Sequence, residues 1–450
     1  MDENKRYSPW QAATILLMVL GYSGYYLCRS DLSVATPQII EWLSARGMSA
    51  ADAKIKIGWI VSISTLAYAI GKFISGGLAD YLGGRANFLI GMAGAVLFTL
   101  LFALGGTLPI FTIAWIGNRA IQSMGWVGMI KISSRWFAYS TYGTVMGLIS
   151  LSYLFGDAAS RQFMSVLIKH GLTWQQIFFV AAGVLAVIFV CNLIFLREAP
   201  SSRGMPEPES NPINVYGANG EKANPPSFSA LVLPLLRSPA FIIVCLLSLG
   251  FTLLRETFNT WTPTYLTEAF HMTKNQGASS SAWFPLTGGI SVVLAGFLSD
   301  RFGKSGRAMI ILIGLILTTI ALLLLANIPP TSSQALPVWL ISVIAFVMIG
   351  PYSYLAGAVS LDFGGKQGSA TACGIIDGVG YLGGVLAGER VARISVLYGW
   401  KGAFEALAGV AALSCVTAVF YMVNQMRRSE ASPLISIRPR QGAERGYGED

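Results

Sequence analysis

The chain has 450 residues, of which 54% are hydrophobic and 12% charged, and its formal net charge is +9. A chain this apolar and this poor in charge is not an ordinary soluble globular protein. The positive charge alone would suit a nucleic-acid-binding protein. However, the basic residues fall mainly in alternate predicted loops and in the C-terminal tail, so we expect no nucleic-acid partner.

Apolar stretches near the length of about 20 residues that crosses a bilayer recur along the chain. Twelve such spans, numbered in chain order, are predicted at 10–30, 57–78, 86–106, 109–130, 142–166, 174–196, 239–262, 281–300, 306–327, 337–360, 368–391 and 400–424. The surplus of basic residues in alternate loops places those loops and both termini in the cytoplasm. The sequence has no Asn-x-Ser/Thr glycosylation acceptor, which favours a bacterial or organellar membrane over that of a glycosylated cell-surface carrier. We expect a multi-pass protein of the bacterial plasma membrane.

The second half of the chain repeats features of the first. Asp80 at the end of span 2 and Asp300 at the end of span 8 are 220 residues apart, and Trp174 and Trp400, which begin spans 6 and 12, are 226 apart. The stretch between the halves is rich in Pro, Ser, Asn, Gly and Glu, which is typical of a linker that buries no core. We predict a six-helix bundle at 1–196, a cytoplasmic linker at 197–238, a second six-helix bundle at 239–426 and a cytoplasmic polar tail at 427–450.

Six spans, a linker and six related spans resemble the parallel repeat of the major facilitator transporters, which bind substrate between the halves. The expected fold is therefore an all-α membrane protein, with twelve transmembrane helices as two pseudo-symmetric six-helix bundles. The loops after spans 2 and 8 also resemble the signature loop of that superfamily. This resemblance implies a conformational latch, in which acidic residues at helix ends pair with basic residues or cap a neighbouring helix. The latch residues would be Asp80, Arg85, Asp300 and Arg307.

Two arginines lie inside apolar spans: Arg29 in span 1 and Arg255 in span 7, 226 residues apart. An arginine near the centre of a membrane helix costs roughly 2.5–3.5 kcal/mol on insertion scales, so it marks a functional site by default. Guanidinium groups offer paired donors that match phosphate oxygens. One such group from each half predicts a binding site for a small anion on the symmetry axis. Alternatively, either arginine could form a structural ion pair with Asp31 or Glu256.

Three segments, at 21–29, 68–76 and 253–266, resemble a narrower family, the organophosphate:phosphate antiporters, which include glycerol-3-phosphate and hexose-6-phosphate carriers. The resemblance implies that Arg29 and Arg255 bind the phosphoryl group and that Lys72 adds a third positive charge. It also implies that tyrosines hydrogen-bond the substrate, namely Tyr22, Tyr26, Tyr68 and Tyr381. The alternatives are that the lysine extends to the membrane interface and that the tyrosine rings only pack.

The chain departs from this family at three positions. Asp157 lies in the stretch of span 5 where glycerol-phosphate carriers have a histidine, Ser30 replaces a lysine, and Asp377 replaces a small residue. Asp157 and Arg161 are four residues apart, so they would share a helix face, either as a local salt bridge or in contact with substrate. Asp377 has no evident local partner, and it could contact a substrate hydroxyl or amine, balance positive charge or carry a proton.

The predicted function is a secondary transporter that exchanges an organic phosphate, of the sugar phosphate or glycerol phosphate class, for inorganic phosphate by alternating access. A bound dianion would neutralise the arginines and lower the barrier to reorientation. The alternatives are a proton-coupled symporter of another small organic anion and a phosphate-ester sensor of the same fold that does not transport. We expect no enzyme activity, cofactor or metal site. The protein should be a monomer in the lipid bilayer, with small anions as its other partners.

Overall fold

The computed structural model describes residues 9–137, 142–206, 208 and 228–430. Some helical residues are described by their backbone alone, without side chains: 77, 80–82, 134, 142–144, 146, 228–231, 297, 299–305, 358, 361–362, 364–370 and 425–430. Part of the predicted linker and nearly all of the predicted tail therefore lie outside the described residues.

Helices form at all six predicted spans of the first half. They are α1 Pro9–Ser44, α2 Ala50–Leu82, α3 Gly84–Leu104, α4 Leu108–Trp136, α5 Tyr142–Lys169 and α6 Trp174–Phe195. α1 runs well past the end of span 1, although it contains Pro37. Local sequence explains two of the helix starts. The Ser49 hydroxyl caps α2, and a capping box of Thr173 and Gln176 begins α6.

The linker contains more structure than its composition predicted. Pro200–Arg203 form a turn of 3₁₀ helix, and Phe228–Leu236 form helix α7. α7 packs against the later helices α8 and α12, and Leu235 is fully buried. The prediction that 197–238 buries no core is wrong at this end, because a short apolar run was averaged with the polar residues before it. The predicted domain boundaries themselves stay a prediction.

The second half contains α8 Pro239–Phe270, α9 Lys274–Ser281, α10 Trp283–Ala326, α11 Ala335–Tyr354, α12 Ser360–Gly384 and α13 Glu389–Glu430. α10 covers predicted spans 8 and 9 as one helix, so the turn expected near Gly303 is not present as a break. Glycine lowers helix propensity without forbidding a helix. α13 includes predicted span 12, and a break at Gly399, with a φ of 70°, marks where that span begins.

The described residues include eight helical segments that are long and apolar enough to cross a membrane. α4 and α5 are not among these segments because they carry polar residues, several of which are buried inside the protein. Examples are Arg119 and Gln122 on α4, and Asp157 and Arg161 on α5. Polar side chains at membrane depth face the protein interior rather than lipid. The twelve predicted spans, including these two, all fall on helices, and the all-α fold is confirmed.

The two halves meet along α1, α2 and α5 on one side and α8, α9, α10, α12 and α13 on the other. We call the side that contains the α1–α2 loop, opposite the start of α1 and the end of α13, the distal side. There, α2 and the α12–α13 connection approach closely, and a Cβ on Gly388 would clash with the Gly58 carbonyl oxygen. The Ser33 hydroxyl donates to the carbonyl oxygens of Asn259 and Thr260, at 2.7 and 2.8 Å. The halves are therefore joined on the distal side.

Candidate anion-binding site

Arg29 follows a kink in α1. Cys28 has the non-helical angles φ −89° and ψ 19°. Its carbonyl oxygen accepts a hydrogen bond from Gln122 Nε2 on α4, at 2.8 Å. The Leu32 amide, which would bond to that carbonyl in a straight helix, donates to Asp31 Oδ1 at 2.8 Å. Side chains thus supply hydrogen bonds at the kink, and they hold the backbone that carries Arg29.

The two predicted arginines converge on one hydroxyl group. Arg29 Nη2 donates to Tyr381 Oη at 2.9 Å, and Arg255 Nη2 donates to the same oxygen at 2.5 Å. Arg29 Nη1 also donates to Tyr68 Oη, at 3.3 Å. Because α1 and α8 belong to different halves, the two guanidinium groups approach a common point from opposite sides. Two cations that share a neutral oxygen form a favourable position for an anion.

Aromatic rings surround both guanidinium groups. Arg29 Cζ lies 4.8 Å from the ring centre of Tyr68 and 5.2 Å from that of Tyr26. Arg255 Cζ lies 4.9 Å from the ring centre of Tyr352. Cation–π attraction of this kind lowers the cost of burying a guanidinium group. Tyr381 completes this set, with its ring centre 5.9 Å from Arg29 Cζ, whereas the fourth predicted tyrosine, Tyr22, packs on the rings of Tyr25, Tyr26 and Trp126.

Lys72 and Asp377 form an ion pair between the halves. Lys72 Nζ on α2 lies 3.3 Å from Asp377 Oδ2 on α12. Lys72 is only 2% exposed and Asp377 7%, so the alternative that Lys72 extends to the membrane interface is wrong. The partner of Asp377 was not evident in the sequence because it lies on the other half of the chain. The pairing balances charge inside the protein, one of the three roles considered for this carboxylate.

Asp157 forms the local salt bridge that its spacing from Arg161 predicted. Arg161 Nε lies 3.0 Å from Asp157 Oδ1, and the Ser30 hydroxyl donates to the same oxygen. The other arginine nitrogens reach the second half: Nη1 donates to Ser281 Oγ at 3.1 Å and Nη2 to the Asn259 carbonyl oxygen at 2.8 Å. Arg161 therefore joins the halves as well as pairing with its neighbour.

Arg119 and Glu256 complete the cluster, and sequence reasoning did not assign either of them to the anion site. Arg119 on α4 is 4% exposed, and its Nη2 lies 3.4 Å from Glu256 Oε2. Glu256 Oε1 lies 2.8 Å from Arg255 Nη2, which is the ion pair considered as an alternative for that arginine. Arg119 lies inside predicted span 4, so the rule that selected Arg29 would also have selected it.

A cavity of about 40 Å³ lies beside these groups and the distal contacts. Its lining includes Arg29, Ser30, Arg119, Asp157, Arg161, Glu256 and Asn259. With the nearby Lys72, Arg255 and Asp377, the cluster contains five cations and three carboxylates, all buried except the half-buried Arg29. The cations stay in excess even when the carboxylate of Asp31, at the kink, is included. Among the described residues, no three or more His, Cys, Asp or Glu side chains are grouped as a metal site would need.

Comparison with known families identifies the fold that holds this cluster. A family model described as Major Facilitator Superfamily matches residues 16–388. The chain belongs to the major facilitator superfamily. It is thus a multi-pass integral membrane protein with the predicted two-bundle fold, and its family consists of transporters.

The relatives of this facilitator align over nearly its whole length. A glycerol-3-phosphate transporter of Bacillus subtilis is 25% identical over 443 residues, which cover 96% of this chain and 97% of the relative. A probable hexose phosphate transport protein of Chlamydia trachomatis is 25% identical and covers 92% and 91%, respectively. A glucose-6-phosphate exchanger of Bos taurus is 26% identical and covers 90% and 93%. The resemblance to organophosphate carriers, drawn from three segments, is confirmed.

Solved structures of other proteins share the fold. A bacterial homologue of the human lysosomal transporter Spinster, crystallised in an inward-facing and unoccupied conformation, superposes with a TM-score of 0.67 at 14% identity, covering 94% of this chain and 99% of its own. A point mutant of the nucleoside transporter NupG also gives a TM-score of 0.67 at 14% identity, covering 91% and 99%. At such identities the likeness concerns the fold alone.

Of the predicted latch residues, Arg85 has contacts that the structure describes in full. Arg85 donates from Nε to the Leu196 carbonyl oxygen and from Nη2 to that of Leu193, each at 2.7 Å. The Glu198 carboxylate accepts from the Arg85 amide at 2.6 Å and thereby caps α3. Arg85 thus fastens the start of α3 to the end of α6 within one half. The side chains of Asp80 and Asp300 lie outside the described residues, so their latch roles, with that of Arg307, stay a prediction.

Proposed function

We propose that this facilitator exchanges a phosphate monoester for inorganic phosphate by alternating access. The observation that carries the proposal is the shared contact of Arg29 and Arg255 with the Tyr381 hydroxyl, which brings a guanidinium group from each half to one point. The names of the aligned relatives, which transport or exchange glycerol phosphate and sugar phosphates, support the same substrate class.

The charges explain why exchange would be coupled. Two like charges about 5 Å apart repel by roughly 3 kcal/mol at an effective dielectric constant of about 20. A phosphate dianion placed between Arg29 and Arg255 replaces that repulsion by attraction, and each guanidinium can form paired, charge-assisted hydrogen bonds. Glu256 offsets only part of this repulsion, because the cations of the cluster outnumber its carboxylates. The loaded carrier therefore reorients more readily than the empty one, so outward and inward movements each require a bound anion.

The organic part of the substrate would extend towards Asp157 and Ser30. Asp157 Oδ1 accepts both the Arg161 and the Ser30 hydrogen bonds, and within the described part of the chain no group donates to Oδ2. A carboxylate oxygen at the cavity wall can accept a hydrogen bond from a hydroxyl group. We therefore propose a hydroxylated organic group, as in sugar phosphates and glycerol phosphate.

Flux measurements test the proposal. Proteoliposomes that contain the purified protein are loaded with radiolabelled inorganic phosphate, and sugar phosphates, glycerol phosphates and simple carboxylates are added outside one at a time. External phosphate monoesters should release the label, whereas buffer alone and carboxylates should not. Release in buffer alone, or equal release by carboxylates, would contradict exchange of phosphate monoesters.

Two other functions give different results in the same vesicles. A proton-coupled symporter would accumulate its anion after a pH jump without any internal anion, and it would need Asp157 or Asp377 to leave its cation partner. A sensor would bind phosphate esters without releasing the label. The ion pairs of both carboxylates, with Arg161 and Lys72, support exchange over proton coupling.

We also propose that the protein lies in the bacterial plasma membrane as a monomer, with both termini in the cytoplasm. The placement of basic residues in alternate loops supports this orientation. A reporter that fluoresces only in the cytoplasm, fused to the C-terminus, should be bright. A dark C-terminal fusion together with a bright fusion at the α1–α2 loop would show the opposite orientation.

A further inference from the structure

Glu256 lies at the anion site and contacts an arginine from each half. We infer that Glu256 is an internal counter-anion: it holds these arginines when substrate is absent and competes with the phosphoryl group, so that bound substrate can leave. The inference rests on the proposed function, because the competing ligand is the phosphate proposed above.

The Glu256 carboxylate uses both of its oxygens on arginines. Oε1 accepts from Arg255 Nη2 at 2.8 Å, and Oε2 accepts from Arg119 Nη2 at 3.4 Å. Arg119 lies on α4 of the first half and Arg255 on α8 of the second. The carboxylate thus bridges the halves, as the phosphoryl group would bridge Arg29 and Arg255, and it takes donors that an incoming anion needs.

The surroundings allow the carboxylate to move aside. Asn259 Nδ2, one turn along α8, lies 3.5 Å from Glu256 Oε1 and offers a neutral partner. Glu256 and Asn259 both line the cavity of about 40 Å³ with Arg29 and Arg119. Pockets for small organic ligands are typically about 300–1,000 Å³, so the lining groups must shift when a substrate enters. Rotation of the carboxylate towards Asn259 would free the Nη2 group of Arg119 in the first half and that of Arg255 in the second.

Competition of this kind favours release. A phosphoryl group that leaves several buried guanidinium groups gives up strong hydrogen bonds, and the unpaired charges that remain are costly in a low-dielectric site. If the Glu256 carboxylate takes over the donors as the phosphoryl group departs, these cations are not left unpaired. The internal carboxylate would weaken binding and speed release, which suits a carrier that must bind and discharge substrate in every cycle.

The variant Glu256→Gln tests the inference through the sign of its effect. In proteoliposomes, the half-saturating concentration of inorganic phosphate should fall at least about tenfold, which corresponds to about 1.4 kcal/mol. The maximal exchange rate should fall as well, since release becomes slower. If Glu256 only oriented Arg255, its loss would instead weaken phosphate binding and raise the half-saturating concentration.

Two further variants control for the substitution itself. Glu405→Gln makes the same chemical change on α13, where the carboxylate is about half exposed and lies 3.8 Å from Lys401, and it should leave both kinetic parameters unchanged. Glu256→Asp keeps the charge on a shorter side chain and should return both parameters towards the wild-type values. An aspartate variant that behaves like the glutamine variant would contradict a role based on charge.

A raised or unchanged half-saturating concentration in Glu256→Gln would overturn the inference. If that variant does not insert, Arg119→Gln and the double variant Glu256→Gln/Arg119→Gln provide the comparison, because the double variant restores the balance of cations and carboxylates. Removing Glu256 should tighten phosphate binding in this background too, and equal or weaker binding contradicts the inference. A wild-type protein that does not exchange phosphate at all would instead refute the proposed function.

Discussion

Arg29 and Arg255 occupy matching places in the two halves, yet their partners differ. Arg29 donates to the neutral hydroxyls of Tyr68 and Tyr381, and among the described residues no carboxylate pairs with it. Arg255 shares the Tyr381 hydroxyl but also pairs with Glu256. One half therefore presents a cation held by neutral groups, and the other a cation that is already partly neutralised. Pseudo-symmetry of sequence sets the position of a charge without setting its electrostatic state.

The ion pair of Lys72 and Asp377 allows the stability that a carboxylate partner gives to a buried cation to be measured. That value can then be compared with the states of Arg29 and Arg255. Asp377→Asn would leave Lys72 buried without its carboxylate, and loss of one member of a buried pair typically costs about 3–5 kcal/mol. We expect Asp377→Asn and Lys72→Gln each to lower the thermal stability in detergent markedly. Lys72→Gln/Asp377→Asn should recover most of it, and a double variant as unstable as the singles would mean that the two residues do not act as a pair.

Lysine substitutions test the arginines directly. Arg29→Lys and Arg255→Lys keep the charge but lose the bidentate donors, so exchange should fall by about 100-fold, or about 2.7 kcal/mol, while both variants insert normally. The loss should be larger at Arg29, because no carboxylate among the described residues pairs with Arg29, and its donors are therefore free of that competition for the phosphoryl group. Initial rates of labelled phosphate exchange measure this difference. Near-normal exchange by both variants would show that neither arginine binds the phosphoryl group.

The Tyr381 hydroxyl contacts both arginines, so its removal affects both halves of the molecule at once. Tyr381→Phe removes a hydrogen bond from each arginine and should weaken phosphate binding about tenfold, or about 1.4 kcal/mol. Tyr68→Phe, the matched control, removes a hydrogen bond from Arg29 only and should have a smaller effect. Half-saturating concentrations of inorganic phosphate distinguish the two variants. The reverse order would show that Tyr381 is not the point at which the halves meet.

Tyr22 should give the smallest effect. Its ring packs on other rings and its predicted contact with substrate has no geometric support here, so Tyr22→Phe keeps the packing and should change exchange by less than about twofold. The measurement is the same exchange assay with the Tyr381→Phe variant in parallel. A tenfold loss in Tyr22→Phe would restore Tyr22 to the substrate-binding group that family resemblance implied.

Local patterns account for what could be predicted about the site. Intramembrane charge identified Arg29 and Arg255, and a spacing of four residues predicted the Asp157–Arg161 salt bridge, because helix geometry alone brings such neighbours together. Arg119 also lies within an apolar span, so the same rule would have added it to the predicted anion site. The kink at Cys28 had no such signal, since Gln122, which bonds to its carbonyl oxygen, lies on another helix.

Apolar length and an internal repeat determined, from the sequence by itself, that this chain crosses the membrane twelve times and that each half contributes one arginine at a matching position. Both properties depend only on residues close in the chain or on a fixed offset along it. The tertiary structure alone decided which charges meet: Lys72 with Asp377, and Arg119 with Glu256, 137 positions away. Ion pairs between distant segments depend on how helices pack across the interface, and no local pattern encodes that arrangement.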